Sequence, residues 1–430
     1  MIISVTLVMS CGLSNAGANF QAQKYAADTV DGKVLGRIDG NYIIIDKDVD
    51  LKGRVCKIPV RRTLLFKEGT IKNGILIGNM TKIECKGTAF DQVTIQGTWC
   101  VPVISTKMFV NLNYENALKD VFALSNPDVK NVIVIEKGIY IVRALSAWGN
   151  CLKVNSRTDL VINGIIKLQP NNYKGCSILQ VHGCDIIISG KGTIIGDKHT
   201  HTGAEGEWGM GIDIEGAVNT TVKGMTVKDC WGDCIYVGGN SRNVLIENCT
   251  LDHGRRQGIS VTKANGVTIR NCKITNVGGT APECAIDIEP NRLDSVDNIL
   301  IENVNVRDCE GGLSVYREPP KDGAKTPWIG NVIIKNCIVS SKSFIPMRVK
   351  RCEEVKIEKC SLYAQKGRTA IYVAETGKAT VLNNTASTDG SIIEKTINGA
   401  KRLMGKGVDP IYVKTKGKSI VKNNKVVERE

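Results

Sequence analysis

Three consecutive stretches, NTTVKGMTVKDCWGDCIYV (219–237), RNVLIENCTLDHGRRQGISV (242–261) and NGVTIRNCKITNVGGTAPECAIDI (265–288), repeat one pattern. An apolar strand leads to an Asn or Asp beside a Cys, and a second short strand follows. A Gly-led apolar strand carrying polar residues closes the unit. Equivalent turn positions fall at Gly164, Gly190, Gly224, Asn248, Asn271, Asn303, Asn336 and Lys359. Their spacing sets a period of about 23 residues, with insertions of roughly 9–10 residues in three units. A unit of that length is too short for a strand–helix–strand crossover, which needs about 30 residues. Each unit is therefore one all-β coil, and stacked coils form parallel strands about 4.8 Å apart. The sequence predicts an all-β, right-handed parallel β-helix, with the recurring Asn forming an internal amide ladder. Cys230, Cys249, Cys272, Cys309, Cys337 and Cys360 are expected at or near that same turn, as a stack of small buried side chains. No Cys-x-x-Cys occurs, which argues against a zinc site.

Outside the repeat, four segments follow from pattern. Residues 1–23 read as a leader, 24–108 as a small β-rich module, 109–390 as the solenoid and 391–430 as a basic capping segment. The opening MIISVTLVMSC resembles a bacterial lipoprotein signal with Cys11 as the lipidated residue, although no Lys or Arg precedes Lys24. That resemblance implies export to the periplasm or cell surface, with membrane contact only through an anchor at Cys11. YENALKDVFAL (114–124) is the clearest helix, with Asn113 as its cap and one apolar face able to plug an open solenoid end.

The chain carries 57 Lys plus Arg against 43 Asp plus Glu, a formal net charge of +14, which favours an anionic partner. Aromatic residues make up 5 %, too few for a protein that stacks nucleobases, so an acidic polysaccharide is expected rather than nucleic acid.

Period-2 alternation gives the register of the exposed sheet. Ile212, Ile235, Ile259, Ile286, Leu313, Met347 and Ile371 form one inward column, and Ile214, Val237, Val261, Ile288, Val315, Val349 and Val373 the next. Between them, Asp213, Tyr236, Ser260, Asp287, Ser314, Arg348 and Tyr372 point outward. Glu215, Thr262, Glu289, Tyr316 and Lys350 belong to the following outward column, with Arg256, Glu283 and Glu310 at strand entries. Acidic, basic and phenolic groups thus share one face over roughly 25–30 Å, long enough for several sugars. Inserted loops at 197–208, 276–283 and 317–330 could wall it, and the first contains the pair His199 and His201.

Residues 110–385 resemble the pectin-lyase-like superfamily of right-handed β-helices. Arg255–Ser260, Ala281–Glu283 and Ile286–Asn291 resemble a group of exported bacterial β-helix proteins. The superfamily spans polysaccharide lyases, polygalacturonases, uronan epimerases and phage tailspikes. Against the polygalacturonase pattern, Met210 and Gly232 replace catalytic Asp residues and Gln257 replaces the His, leaving Asp233. The resemblance together with the charge favours β-elimination on a uronate-containing glycan of glycosaminoglycan, pectin or alginate type. Arg256 or Arg317 would neutralise the uronate carboxylate, and Lys263 or Tyr316 would move the proton. Asp213, Tyr236, Glu283, Arg348 and Lys350 would bind the chain. Asp287 and Glu289 could hold Ca²⁺ through oxygen ligands. A hydrolase using a carboxylate pair, an epimerase and a non-catalytic adhesion protein remain alternatives. Asp287/Glu289 and Asp213/Glu215, each two apart on a strand, stand about 6.5 Å apart, within the inverting-glycosidase range.

Overall fold

The structure is a computed structural model that describes residues 29–112, 117–291, 293–319, 327–342, 345–365, 368–388 and 409–428. The leader with Cys11, and Asn113, lie outside these residues. Among the described residues no helix is long and apolar enough to cross a membrane.

From Val103 the chain winds as a parallel solenoid with three faces. One is an 11-stranded sheet running from Ile139–Val142 to Lys425–Glu428. The other two meet at a corner that Gly175–Gly190 and Trp208–Lys223 cross without a break. They turn at Gly183 and Gly216, where φ is 109° and 66°, values that a side chain with a Cβ resists.

Both inward columns pair rung by rung as the alternation predicts, from Ile212 to Ile371 and from Ile214 to Val373, and all their members are buried. The outward column also holds, and it extends to Gln180 before Asp213 and Tyr412 after Tyr372.

The Asn column differs from expectation. Asn248, Asn271, Asn303, Asn336 and Lys359 are exposed and sit at φ of 54–55°. A tight turn needs a left-handed residue there, and Asn tolerates that conformation better than most. The following residue faces inward: Cys249, Cys272, Cys337 and Cys360 are buried, and each thiol donates to the carbonyl two residues back at 3.3–3.4 Å. Cys230 and Cys309 belong to a second turn, after Asp229 and Asp308 at φ of 56° and 57°. A buried amide ladder does exist, but it begins where the thiols end. Asn384 Oδ1 accepts from Cys360 N at 2.9 Å, and Asn384 Nδ2 donates to Asn424 Oδ1 at 2.9 Å.

The C-terminal flank joins the winding, whereas residues 29–99 form a separate 8-stranded sheet. Ile411–Thr415, Ser419–Lys422 and Lys425–Glu428 pair in parallel with the preceding coil, so this part of the expected cap is another coil. Within 29–99 every strand pairing is parallel except Arg37–Asp39 with Tyr42–Ile45. The helix Ala117–Ala123 buries Leu118, Val121 and Phe122, and Asp120 Oδ1 accepts from Ile95 N at 2.9 Å, covering an edge of the N-terminal sheet.

On the second face of the solenoid a column of charges alternates in sign. Lys223, Glu247, Arg270, Glu302, Lys335 and Glu358 are successive partners, with ion pairs of 2.7 Å at Arg270–Glu247 and 2.9 Å at Lys335–Glu302.

Candidate active site

The outward column opens into a cleft of about 370 Å³ over the coils that carry Ser177, Asp213, Tyr236 and Arg256. Its floor is set by sheet parity, because Asp213 and Glu215 alternate with the buried Ile212 and Ile214. Asp213 is 9 % exposed, and Ser177 from the preceding coil donates to its Oδ2 at 2.6 Å. Burial pushes the Asp213 carboxyl up to about 6; the Ser177 hydroxyl pulls it down, while the charges of Glu215 and Asp233 raise it. Among the described residues Asp213 Oδ1 has no hydrogen-bond partner.

Arg256 forms the opposite side. Its Nη1 lies 3.2 Å from Oδ2 of the fully buried Asp233, which also accepts from Ser260 Oγ. Burial pushes the Asp233 carboxyl up, and Arg256 and Ser260 pull against it. Burial also works against the Arg256 charge, yet Asp233, Glu207 and Asp287 together hold that guanidinium above the usual arginine range. Its Nε, 3.8 Å from Glu207, makes no hydrogen bond among the described residues. Tyr236 shares its hydroxyl with Thr262 Oγ1 at 2.7 Å, and burial raises the phenol.

Two tryptophans stand at one end of the cleft. Trp148 and Trp208 are 64 % and 38 % exposed, with ring centroids 5.1 Å apart and planes tilted by 43°. Gly175 makes room for them, since a Cβ there would lie 2.8 Å from the Trp148 ring. Flat apolar faces beside hydrogen-bonding groups suit a pyranose ring, whose C–H face is apolar and whose rim is polar. The 197–208 loop that brings Trp208 is anchored from below. Trp231 is sandwiched between His201, at 3.9 Å, and the Arg255 guanidinium, at 3.7 Å, and Arg255 Nη1 donates to Gly206 O at 2.9 Å. His201 is buried against Asp197 at 2.8 Å, whereas His199 is exposed beside Asp229, so the pair does not converge.

The structure separates the residues singled out in sequence. Asp213, Tyr236 and Arg256 meet in the cleft. Arg317 does not reach it: the side chain is 1 % exposed, and its guanidinium donates to the backbone carbonyls of Asn291, at 3.2 Å, and Asp294. It braces the loop that brings Asn291 to the cleft. Lys263 is tied to Asp294 at 2.8 Å. Glu283 turns back on its own loop, accepting from Gly279 N at 2.7 Å. Tyr316 lies under the Arg348 guanidinium at 4.3 Å, and Lys350 pairs with Glu375 at 2.9 Å.

Asp287 is 3 % exposed and accepts from Gln257 Nε2 at 2.9 Å, while Gln257 Oε1 accepts from Cys284 N at 2.8 Å. Burial, with the Glu289 charge beside it, pushes the Asp287 carboxyl up to about 7. Such a site does not suit Ca²⁺. A donor amide holds Asp287 Oδ2, and the Arg256 charge acts on the same carboxyl, so this carboxylate faces donors rather than a metal site.

Sequence reasoning missed Trp148, Ser177 and Gln180. Gln180 continues the outward column one coil earlier and was legible by extending the register. Ser177 pairs with Met210, at the parity of the inward Leu179, so alternation places it inward and its bond to Asp213 emerges only from the fold. Trp148 lies in a loop with no periodic partner and carried no signal.

Residues 163–318 match the family described as right handed beta helix region. The chain is 25 % identical over 188 residues to an SPbeta prophage-derived uncharacterized protein, YorA, of Bacillus subtilis, covering 37 % of this chain and 32 % of that one. To YclG of the same organism it is 34 % identical over 162 residues, covering 33 % of this chain and 28 % of that one. The matched part thus spans about a third of these curated relatives, 32 % and 28 %. Among solved structures, the A-module of the mannuronan C-5 epimerase AlgE6 of Azotobacter vinelandii aligns at TM-score 0.52 and 14 % identity, covering 73 % of this chain and 95 % of that one. A tailspike mutant of E. coli bacteriophage HK620, solved with a pentasaccharide, aligns at 0.50 and 14 %, covering 74 % and 64 %. These likenesses show the fold.

Proposed function

We propose that this right-handed parallel β-helix is a glycoside hydrolase that cleaves a polysaccharide lying along the cleft. The observation that carries the reading is Asp213, a carboxyl held up to about 6 by burial and placed in an open groove beside a second carboxylate, Glu215. A carboxyl so poised retains a proton to donate to the glycosidic oxygen as the bond breaks. Glu215, two residues along the strand, stands about 6.5 Å away, the spacing at which a base activates water on the far side of the sugar ring. The predicted outcome is inversion at the anomeric carbon. Trp148 and Trp208 would seat a neighbouring ring. An epimerase of mannuronan and a tailspike carrying a pentasaccharide are built on the same fold, which supports a sugar polymer as substrate.

One observation favours eliminative cleavage as a second reading. The Arg256 Nε, buried at the cleft and without a hydrogen bond among the described residues, is suited to a uronate carboxylate. Elimination would leave an unsaturated uronate that absorbs in the ultraviolet. Hydrolysis leaves only new reducing ends.

The test is cleavage of a polysaccharide panel followed by both signals. Reducing ends without ultraviolet absorbance, lost about 10²–10⁴-fold in Asp213→Asn and Glu215→Gln with the fold intact, support hydrolysis. Absorbance rising in step with reducing ends overturns it in favour of elimination. Export with lipidation at Cys11 belongs to the same proposal, and labelled palmitate that Cys11→Ser still incorporates would refute it.

A further inference from the structure

Beyond the cleft, the outward column continues for several rungs over residues that the proposed chemistry does not use. From Asp213 it passes Tyr236, Ser260, Asp287 and Ser314 to Arg348, then Tyr372 and Tyr412. At the parallel-strand spacing, Arg348 stands about 24 Å from Asp213 along the same face.

The far end has its own chemistry. The Arg348 guanidinium lies over the Tyr316 ring at 4.3 Å and donates to Ser314 Oγ at 3.4 Å. Neighbouring cations are already engaged: Lys350 and Arg351 share the carboxylate of Glu375, at 2.9 Å each. Arg348 forms no ion pair with a carboxylate among the described residues and is half-buried. The ring beneath it fixes the plane of its fork, so the remaining N–H groups are oriented before anything binds. The phenols of Tyr372 and Tyr412, stacked at 5.1 Å and 11°, occupy the next two rungs and add hydroxyls to this end.

We propose that Arg348, with Tyr316, Tyr372 and Tyr412, forms a second glycan-binding site that takes the carboxylate of an acidic sugar in the same chain whose cleavage occurs at Asp213. The ligand is a uronate-bearing polymer, chosen by charge complementarity: an oriented, unneutralised guanidinium fits a carboxylate bidentately. The proposal rests on the glycan reading of the cleft but not on which bond is broken there. One chain long enough to reach both sites is held at two points, so short substrates are cleaved less well.

The test uses the full chain carrying Glu215→Gln, which removes turnover from the measurement. Polygalacturonate, alginate and hyaluronan, each beside its carboxyl-reduced form, serve as probes in affinity electrophoresis. At least one acidic polymer is expected to be retained, and its reduced form about tenfold less, a difference that Arg348→Gln erases while Tyr316 stays in place. Retention of none of the three, equal retention of acidic and reduced forms, or full retention by Arg348→Gln overturns the site. In the protein with Glu215 intact, Arg348→Gln is expected to raise KM about tenfold on a long chain and leave kcat unchanged. A fall in kcat at constant KM overturns the proposal. Failure of the hydrolase reading is a separate outcome, seen as undiminished cleavage by Glu215→Gln.

Discussion

Ser177 Oγ donates to Asp213 Oδ2 at 2.6 Å, and this bond restrains a carboxyl that burial drives upward. A hydrogen bond to the charged form lowers a pKa, so its loss lets the value climb. Ser177→Ala should therefore move the alkaline limb of the pH–rate profile upward by as much as about one unit, because Asp213 keeps its proton longer. A limb that moves down, or stays, would show that Asp213 is not the titrating acid.

Asp213 and Asp287 are also a source of pH-dependent stability, with folded values of about 6 and about 7. Both lie above the ordinary aspartate value of about 3.9, so the native state binds protons more readily than the unfolded chain. The stabilisation is full below that ordinary value and is lost as pH rises through the two folded values. Asp287→Asn cannot ionise. Its Tm should gain on the parent's between about pH 4 and pH 7, read by thermal denaturation across that range.

Arg256 is placed to reach a substrate, but it is also the only cation paired with the fully buried Asp233 among the described ion pairs. Arg256→Ala should destabilise the protein by about 3–5 kcal/mol, because a buried carboxylate is left without its partner. Adding Asp233→Asn should restore much of that in urea denaturation. If the single variant unfolds like the parent, the pair is not what holds this corner.

The exposed turn column and the buried column beside it should respond differently. At Asn336, φ is 54°, so Gly should be tolerated there and Val should cost about 1–2 kcal/mol. At the buried Asn384, Leu would leave Cys360 N and its neighbours in the ladder unpaired, at a cost of about 1–3 kcal/mol. Denaturant midpoints of the three variants test both.

The cleft sheet was legible because each residue in it is constrained twice, once by alternation along the strand and once by recurrence between coils. Ile259, for instance, must match both Val261 and Ile235. Beyond the strand ends that double constraint lapses. Tyr316 closes its strand, so parity says nothing about Arg317, and the turn carries its guanidinium to the carbonyls of Asn291 and Asp294. Lys263 likewise follows the strand Ile259–Val261, and Asp294 captures it. In the Asn–Cys pairs both residues recur equally often. Only the sign of φ decides which faces inward, and recurrence does not carry that sign. Trp148 has no counterpart in other coils, so the aromatic end of the cleft emerges only from the fold.

The column of Lys223, Glu247, Arg270, Glu302, Lys335 and Glu358 has a consequence for how the coils find one another. A solenoid of near-identical coils invites misalignment, since a strand that skips its neighbour and docks on the next still buries its apolar residues well. In this column such a skip sets Lys223 against Arg270, Glu247 against Glu302, Arg270 against Lys335 and Glu302 against Glu358. Like charge meets like at every step, and directly opposed like charges destabilise a strand pair. The hydrophobic interior cannot count coils. The alternating charges supply a parity check, accepting each strand on its true neighbour and rejecting it one coil out of place.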